Sequence, residues 1–493
     1  MSKPISHRTP VFPAWRPRLA PLGRRTAHLV RQLRSQTLCQ IETCFAPWIP
    51  AHLFPKAPAK ENSRDGCYTR WRTFWCMLWQ CLNPEAPGRE VVRQLQALFG
   101  LENGPDISEE DGAYCRAKAR LPLAEFPKAL SATAQAADQL APALGTLRDK
   151  PLKAMDGSAL TLADTPKNRQ AYPPLQCPQG PSFPMMRIVV LCSMISGAIL
   201  AAAQGSLAVS ELSLLASLAS QINAGDILVG DRGFGSYPVI AWLKHGLKVD
   251  FIGRTTRGVD GRRRHKRLGP NDWLMVWQPG ASTCSPWLSE EQRKQLPGEM
   301  IVRAIKGQCQ QRGYRVRGVT VVTTLLDPKR YPAEQILAAY LRRWRLEMCL
   351  DDLKTTLKMD TLRGRTPPMA QKEMYMRLIG QNLIRCVAAQ AAGRGEVPLE
   401  RISFKGTLDA LRQYTQALSR ARTRKQWREL WDGLLQTLAA DLVPERPGRR
   451  EPRAVKRKKN KYARLNTSRK KYRDRPKRHT RRKTARLRRL GLM

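Results

Sequence analysis

Acidic side chains are scarce in this 493-residue chain: 40 Asp and Glu stand against 86 Lys and Arg, a net charge of +46. So large an excess repels itself and calls for a polyanionic partner. Nucleic acid suits it better than an anionic membrane surface, because cations that displace counterions from phosphates gain binding free energy. Histidine is scarcer still, with six residues (His7, His28, His52, His245, His265 and His479) and no His-x-His pair. That sets aside nucleic-acid chemistry built on a histidine-bound metal and a nucleophilic tyrosine. The twelve cysteines include no Cys-x-x-Cys pair and sit in apolar settings such as Phe74-Trp75-Cys76 and Val190-Leu191-Cys192. Reduced thiols are expected, not a disulfide framework or structural zinc. No Ser/His/Asp grouping stands out, and Gly233-Phe234-Gly235 and Gly253-Arg254 are too short to cradle a nucleotide. A membrane-spanning run of about 20 apolar residues is missing too. Ile188 to Ala203 comes nearest, but Ser196-Gly197 interrupts it and makes it two buried strands joined by a tight turn. Met1-Ser2-Lys3-Pro4 opens no signal-peptide core, so a cytoplasmic protein without membrane attachment is expected.

What is present divides by texture. At roughly 100–200 residues per domain the length suggests two to four domains. Residues 1–150 read as a helical N-terminal domain. It holds a buried aromatic helix at Phe74–Trp79 and a second helix opened by Ser108 as N-cap, with Glu109, Glu110 and Asp111 in its first turn. That helix carries Arg116, Lys118 and Arg120, cations that suit a DNA contact, and Pro122 ends it. Residues 151–392 read as a mixed α/β domain. Its expected order is a strand ending at Asp156, a hairpin of Arg187–Ser196 and Ala198–Gly205, a helix over Ser210–Ile222, a strand over Asp226–Gly230, a helix over Ser236–His245, and a strand over Lys248–Ile252. A β-rich insertion is expected over about 254–325, with dense cations at Arg262–Arg267 and a strand at Trp273–Trp277, whose tryptophans read as core rather than as base-stacking platforms. One long helix is expected from Pro332 to about Lys358, and others over Pro368–Ala392 and Leu408–Leu438. Residues 393–445 form a helical C-terminal region. From Arg446 to Met493, 23 Lys and Arg face only Glu451 and Asp474, a charge block expected to be a disordered basic tail and a non-specific DNA clamp.

The chemistry converges on three acids. Asp156, before Gly157-Ser158, and Asp231, in Gly230-Asp231-Arg232-Gly233-Phe234, each end an expected strand, so their carboxylates can meet. On the helix from Pro332, Tyr340, Arg343, Glu347 and Lys354 fall within roughly 60° of one another at 100° per residue. Glu347 can therefore close the third side. Three bare carboxylates would repel and raise one another's pKa. A divalent ion relieves this, and hard oxygen ligands favour Mg²⁺, with Mn²⁺ as substitute.

These residues resemble the DDE transposases of bacterial insertion sequences, in the insertion-sequence-four group. That group carries Tyr, two residues, Arg, three residues, Glu, six residues, Lys, and Tyr340, Arg343, Glu347 and Lys354 match the spacing in full. Asp156-Gly157-Ser158 and Gly230-Asp231-Arg232-Gly233-Phe234 resemble its two other acidic motifs, and the likeness covers about residues 60–440. The basic tail is not part of the family pattern. The resemblance implies an RNase H-like catalytic core with a β-rich domain between Asp231 and Glu347. It further implies two Mg²⁺ ions held by Asp156, Asp231 and Glu347, and DNA contacts from Tyr340, Arg343 and Lys354. The expected activity is cleavage at transposon ends and strand transfer into target DNA by a cut-and-paste route through hairpin ends. The expected partners are terminal inverted repeats, read by the N-terminal domain, and target DNA. A homodimer on DNA, associated with the bacterial nucleoid, follows. Two alternatives are a non-catalytic transposase-derived DNA-binding protein and an RNase H-like nuclease that never joins strands.

Overall fold

The computed structural model describes residues 38–55, 67–102, 107–141, 146–148, 150–174, 182–255, 264–280, 285–307, 318–418, 421 and 423–444. The basic tail and Arg262-Arg263 lie outside the described residues. The described chain forms two compact units. One holds the residues up to Pro47, Phe54–Leu121 and Leu408–Leu434; the other holds Trp48–Leu53, Pro122–Thr407 and the residues from Leu435.

The first unit is helical: α1 (Leu38–Phe45), α2 (Arg70–Leu82), α3 (Gly88–Glu102) and α4 (Gly112–Arg120). Thr69 caps α2 by accepting the Arg72 N–H, which satisfies a donor the helix start would leave open. The aromatic run is buried as its sequence foretold: Phe74 and Leu78 are inaccessible, Phe54 stacks on Phe74 at 4.4 Å, and Trp71 meets Trp75 edge-on at 5.2 Å. The start of α4 departs from the expected Ser108 cap. The helix begins at Gly112 with no side-chain cap bond, and the Ser108 hydroxyl only accepts the Glu110 N–H at 3.4 Å. A serine there can satisfy a local turn as readily as a helix start.

The second unit is built on a mixed sheet, ten-stranded among the described residues. In chain order it runs α5 (Glu125–Leu140), β1 (Thr146–Leu147), β2 (Lys150–Thr161), α6 (Pro166–Ala171), β3 (Met185–Ser193), β4 (Ile199–Ser206), α7 (Glu211–Ser217), β5 (Ile227–Gly230), α8 (Tyr237–Ala241), β6 (Asp250–Gly253), β7 (Arg264–Gly269), β8 (Asp272–Trp277), α9 (Glu290–Lys294), β9 (Met300–Gly307) and β10 (Val319–Thr323). Helices α10 (Ala333–Leu341), α11 (Trp344–Thr355) and α12 (Pro367–Gly395) follow, then α13 (Phe404–Leu418) and α14 (Arg424–Ala440), which both units share. The strands lie in the order β4-β3-β2-β5-β6-β10-β9-β8-β7, with β1 beside β2.

The apolar Ile188–Ala203 stretch is the β3–β4 hairpin, and Gly197 at its turn takes a φ of +77° that other residues resist. No helix among the described residues is long and apolar enough to cross a membrane. The strands β7 to β9, expected as an insertion, extend the central sheet through β10. Trp273 is 4% exposed and Trp277 meets Tyr237 edge-on, so both belong to packing, as read from sequence. Asn382, fully buried on α12, joins three elements. Its Nδ2 donates to Leu130 O, Thr133 Oγ1 and Ile199 O, and its Oδ1 accepts the Ile199 N–H at 2.7 Å. A buried amide with its bonding capacity used fixes the register of α5, α12 and β4.

Candidate active site

Two sheet strands set the aspartates. The parallel pairing of β2 with β5 runs Leu152 to Ile227, Lys153 to Leu228 and Ala154 to Val229. Two residues further along each strand come Asp156 and Asp231, so the pairing register brings them level and on one face. Asp156 does not end its strand, as its Gly-Ser sequel suggested. It lies inside the twelve-residue β2, paired to Val190 of β3, because the long hairpin gives β2 a partner well past Gly157. A Cβ on Gly157 would lie 2.6 Å from the Glu211 carboxylate, so that acid sits over the strand at this point. Asp231 does follow its strand directly, and its Oδ1 accepts the N–H of Gly233 at 2.8 Å. The loop then passes so close to the end of β6 that a Cβ on Gly235 would lie 1.7 Å from the Arg254 carbonyl oxygen.

Glu347 arrives from above on a helix that is not continuous. The expected single helix breaks at Arg342-Arg343. Bonds from Arg343 N to Tyr340 O, Arg345 N to Arg342 O and Leu346 N to Arg343 O, at 2.9–3.0 Å, tighten the chain to a three-residue turn. Such a turn eclipses positions three apart. It holds the Arg343 guanidinium 6.0 Å from the centre of the buried Tyr340 ring. From there Arg343 Nη2 donates to Glu347 Oε1 at 2.5 Å. Lys354, in the last turn of α11, stands seven residues beyond Glu347, about 10 Å along the axis.

Electrostatics tie the acids together. Burial pushes the Asp156 carboxyl up to about 6; the Gly157 N–H at 2.8 Å and the Arg343 charge oppose this, and the charges of Asp231 and Glu347 add to it. Burial works against the Arg343 charge, but Glu347, then Tyr340 and Asp156, more than offset it and raise its pKa above the ordinary value. Asp156, Asp231, Glu347 and Arg343 thus feel one another through partly buried space. They are not drawn up as a ready ligand set: among the described residues no three His, Cys, Asp or Glu are grouped to hold a metal ion. The donor chemistry nevertheless fits a hard divalent cation, since all three groups offer carboxylate oxygen and one is held partly protonated by burial and its acidic neighbours.

Sequence reading did not anticipate the ground next to Glu347. A cavity of about 590 Å³ is lined by Glu347, Asp352, Arg385, Trp344, Met348 and the β3–β4 turn. Burial pushes the Asp352 carboxyl up to about 6, against the pull of Arg385. The neighbouring Asp351-Asp352 pair was the only sequence signal for it.

Residues 148–383 match the Transposase DDE domain. The chain is 25% identical over 396 residues to transposase InsG for insertion sequence element IS4 of Escherichia coli (strain K12), covering 79% of this chain and 85% of that protein. It is 26% identical over 199 residues to the transposase for insertion sequence element IS421 of Escherichia coli, covering 33% of this chain and half of that protein's length. The solved piggyBac transposase synaptic complex with hairpin DNA aligns over 84% of this chain and 85% of that one, at 11% identity and a TM-score of 0.39, too distant a likeness to carry an argument. With both aspartates, the glutamate and the tyrosine–arginine turn inside the matched span, the chain belongs to the DDE transposases of the IS4 type.

Proposed function

We propose that this transposase cleaves DNA at the ends of its mobile element and transfers the freed strands to target DNA, using Asp156, Asp231 and Glu347 to hold two Mg²⁺ ions, with Mn²⁺ as substitute. The carrying observation is the Asp156 carboxyl, buried beside Arg343 and raised further by Asp231 and Glu347. The strand run β4-β3-β2-β5-β6, three antiparallel strands followed by two parallel ones, supports an RNase H-like core. Bound magnesium would supply Lewis acidity to an attacking water or 3′-hydroxyl and to the leaving oxygen.

The chain's own groups do the positioning. Asp231 is held by the Gly233 N–H and Asp156 by the Gly157 N–H, so neither carboxylate has to be ordered during the reaction. Arg343 balances the charge of Glu347 while no cation is bound, and its planar fork suits a phosphate that arrives with one. Tyr340 fixes that fork, and Lys354 adds a point charge further along the helix. In this reading residues 1–150 recognise terminal inverted repeats, the catalytic domain spans 151–392, and a homodimer joins two ends in the cytoplasm at the nucleoid.

The test is Glu347→Gln. Element-end cleavage in Mg²⁺ should fall below detection while binding to end DNA persists, and Mn²⁺ titration should show weakened ion binding. Wild-type cleavage by this variant would refute the assignment.

A further inference from the structure

The outer edge of the sheet carries a second cationic site. Strand β7 ends the strand order and pairs only with β8, and Arg264, His265, Lys266 and Arg267 on it are all exposed. Charged edge strands commonly serve to deter edge-to-edge pairing. Cations placed for that purpose alone would alternate between the two faces. Here two bulges within six residues change the alternation. Arg264 stands opposite Met275, and Arg267 opposite Trp273. Met275 and Trp273 are two apart on β8 and share a face, so Arg264 and Arg267, three apart, are brought to that face as well. Lys306 reaches it from β9: Ala304 pairs with Trp273, and Lys306 lies two residues beyond.

The three cations gather around one indole. The Arg264 guanidinium lies 4.6 Å and the Lys306 ammonium 5.5 Å from the Trp273 ring centre. Trp273 is 4% exposed, and its Nε1–H is buried with no hydrogen-bond partner. A cavity of about 330 Å³ opens here, lined by these four residues, His265, Lys266 and the Gly269–Asn271 turn, with no carboxylate among its lining residues. Cations gathered over a cavity without a counter-charge, beside an orphaned donor, are what an anion would complete.

We propose that this cavity binds a phosphodiester of the DNA backbone, at a distance from the cut. The proposal rests on the chain acting on DNA as a transposase. The strand order gives the distance. From β5, which positions Asp231, to β7 are five steps across the sheet, about 24 Å at 4.8 Å each. At 3.4 Å per base pair a duplex must extend at least about seven base pairs from the cut to occupy both sites.

The test compares wild type, R264Q/R267Q/K306Q and the charge-retaining R264K/R267K/K306R, each checked by thermal unfolding. Binding to a 40-base-pair element-end duplex is measured by fluorescence anisotropy across salt concentrations. The neutralised variant should show a log K against log salt slope shallower by about 0.9 for each phosphate lost, about one to two in all. The charge-retaining variant should keep the wild-type slope. On a duplex reaching only four base pairs from the cut, wild type and the neutralised variant should bind alike. Should the triple variant unfold early, R264Q alone replaces it, because Arg264 is exposed, with a flattening of up to about 0.9. Equal slopes on the long duplex would overturn the proposal. So would inorganic phosphate or pyrophosphate binding at these residues with the DNA slope unchanged, which would make the cavity a site for a free anion. Binding is read without cleavage, so an inactive wild type would count against the transposase reading and not against this site.

Discussion

Replacing Gly235 by alanine should disable the site from outside it. The added Cβ would fall 1.7 Å from the Arg254 carbonyl oxygen, 2.7 Å from its carbon and 2.9 Å from the Thr255 Cα. All three are backbone atoms, so no side chain can swing away. Carbon and oxygen ordinarily approach to about 3.3 Å, so the loop and the end of β6 must part by about 1.5 Å. Overpacking of this kind costs roughly 1–3 kcal/mol. The larger consequence falls on Asp231, four residues earlier, whose carboxylate is set by the same loop through the Gly233 N–H. A misplacement of about 1 Å can cost ~10²-fold in rate. Urea unfolding and Mg²⁺-dependent cleavage of an end duplex measure the two effects. Gly298→Ala is the control, since a Cβ there meets nothing within 4 Å. If Gly235→Ala cuts at the wild-type rate, the contact between the loop and β6 does not position Asp231.

Further outcomes follow from the same structure. Asp272 pairs with the fully buried Arg303 at 2.5 Å, so Asp272→Ala should cost about 3–5 kcal/mol by leaving a buried cation unpaired, whereas Asp272→Leu with Arg303→Met should recover most of it; chemical denaturation separates the two. The folded-state pKa of Asp156 is raised from 3.8 to about 6, so its contribution is fully present below about pH 4 and is lost as pH rises through 6. Ion-free protein should therefore lose up to about 3 kcal/mol relative to Asp156→Asn across that window, less what solvent screening removes, and Mg²⁺ should stabilise it most above pH 6. Melting curves at matched pH check this, and parallel curves for the two proteins would refute it. Deleting residues 446–493 should flatten the salt dependence of non-specific DNA binding, measured on duplexes lacking element ends; an unchanged slope removes the clamp role expected for the tail.

Much of the site was legible because its signals are local. A short buried run stopping at Asp231 reads as a strand, and its β5 assignment needs no distant partner. The Ser196-Gly197 turn divides the apolar run because only a hairpin buries both halves. Three features were not legible. Gly157-Ser158 has the composition of a turn, yet β3 supplies a partner that keeps it extended. Arg342 and Arg343 are good helix formers, and their φ and ψ remain helical, so no residue marks the break between α10 and α11. The union of β7, β8 and β9 with the catalytic sheet depends on β10 returning beside β6, a pairing across more than 60 residues that no local pattern encodes.

The sequence by itself determined the chemistry: which acids, which cations, and the spacing that puts Tyr340, Arg343 and Glu347 within reach of one another, because residue type and helical periodicity are properties of the chain alone. Tertiary structure decided how those groups meet. Strand register levels Asp156 with Asp231, a tightened turn swings Arg343 onto Glu347, and bulges gather Arg264, Arg267 and Lys306 around Trp273. Each depends on hydrogen bonds or packing between segments distant in the chain, whose cost and gain are fixed only once the whole sheet is assembled.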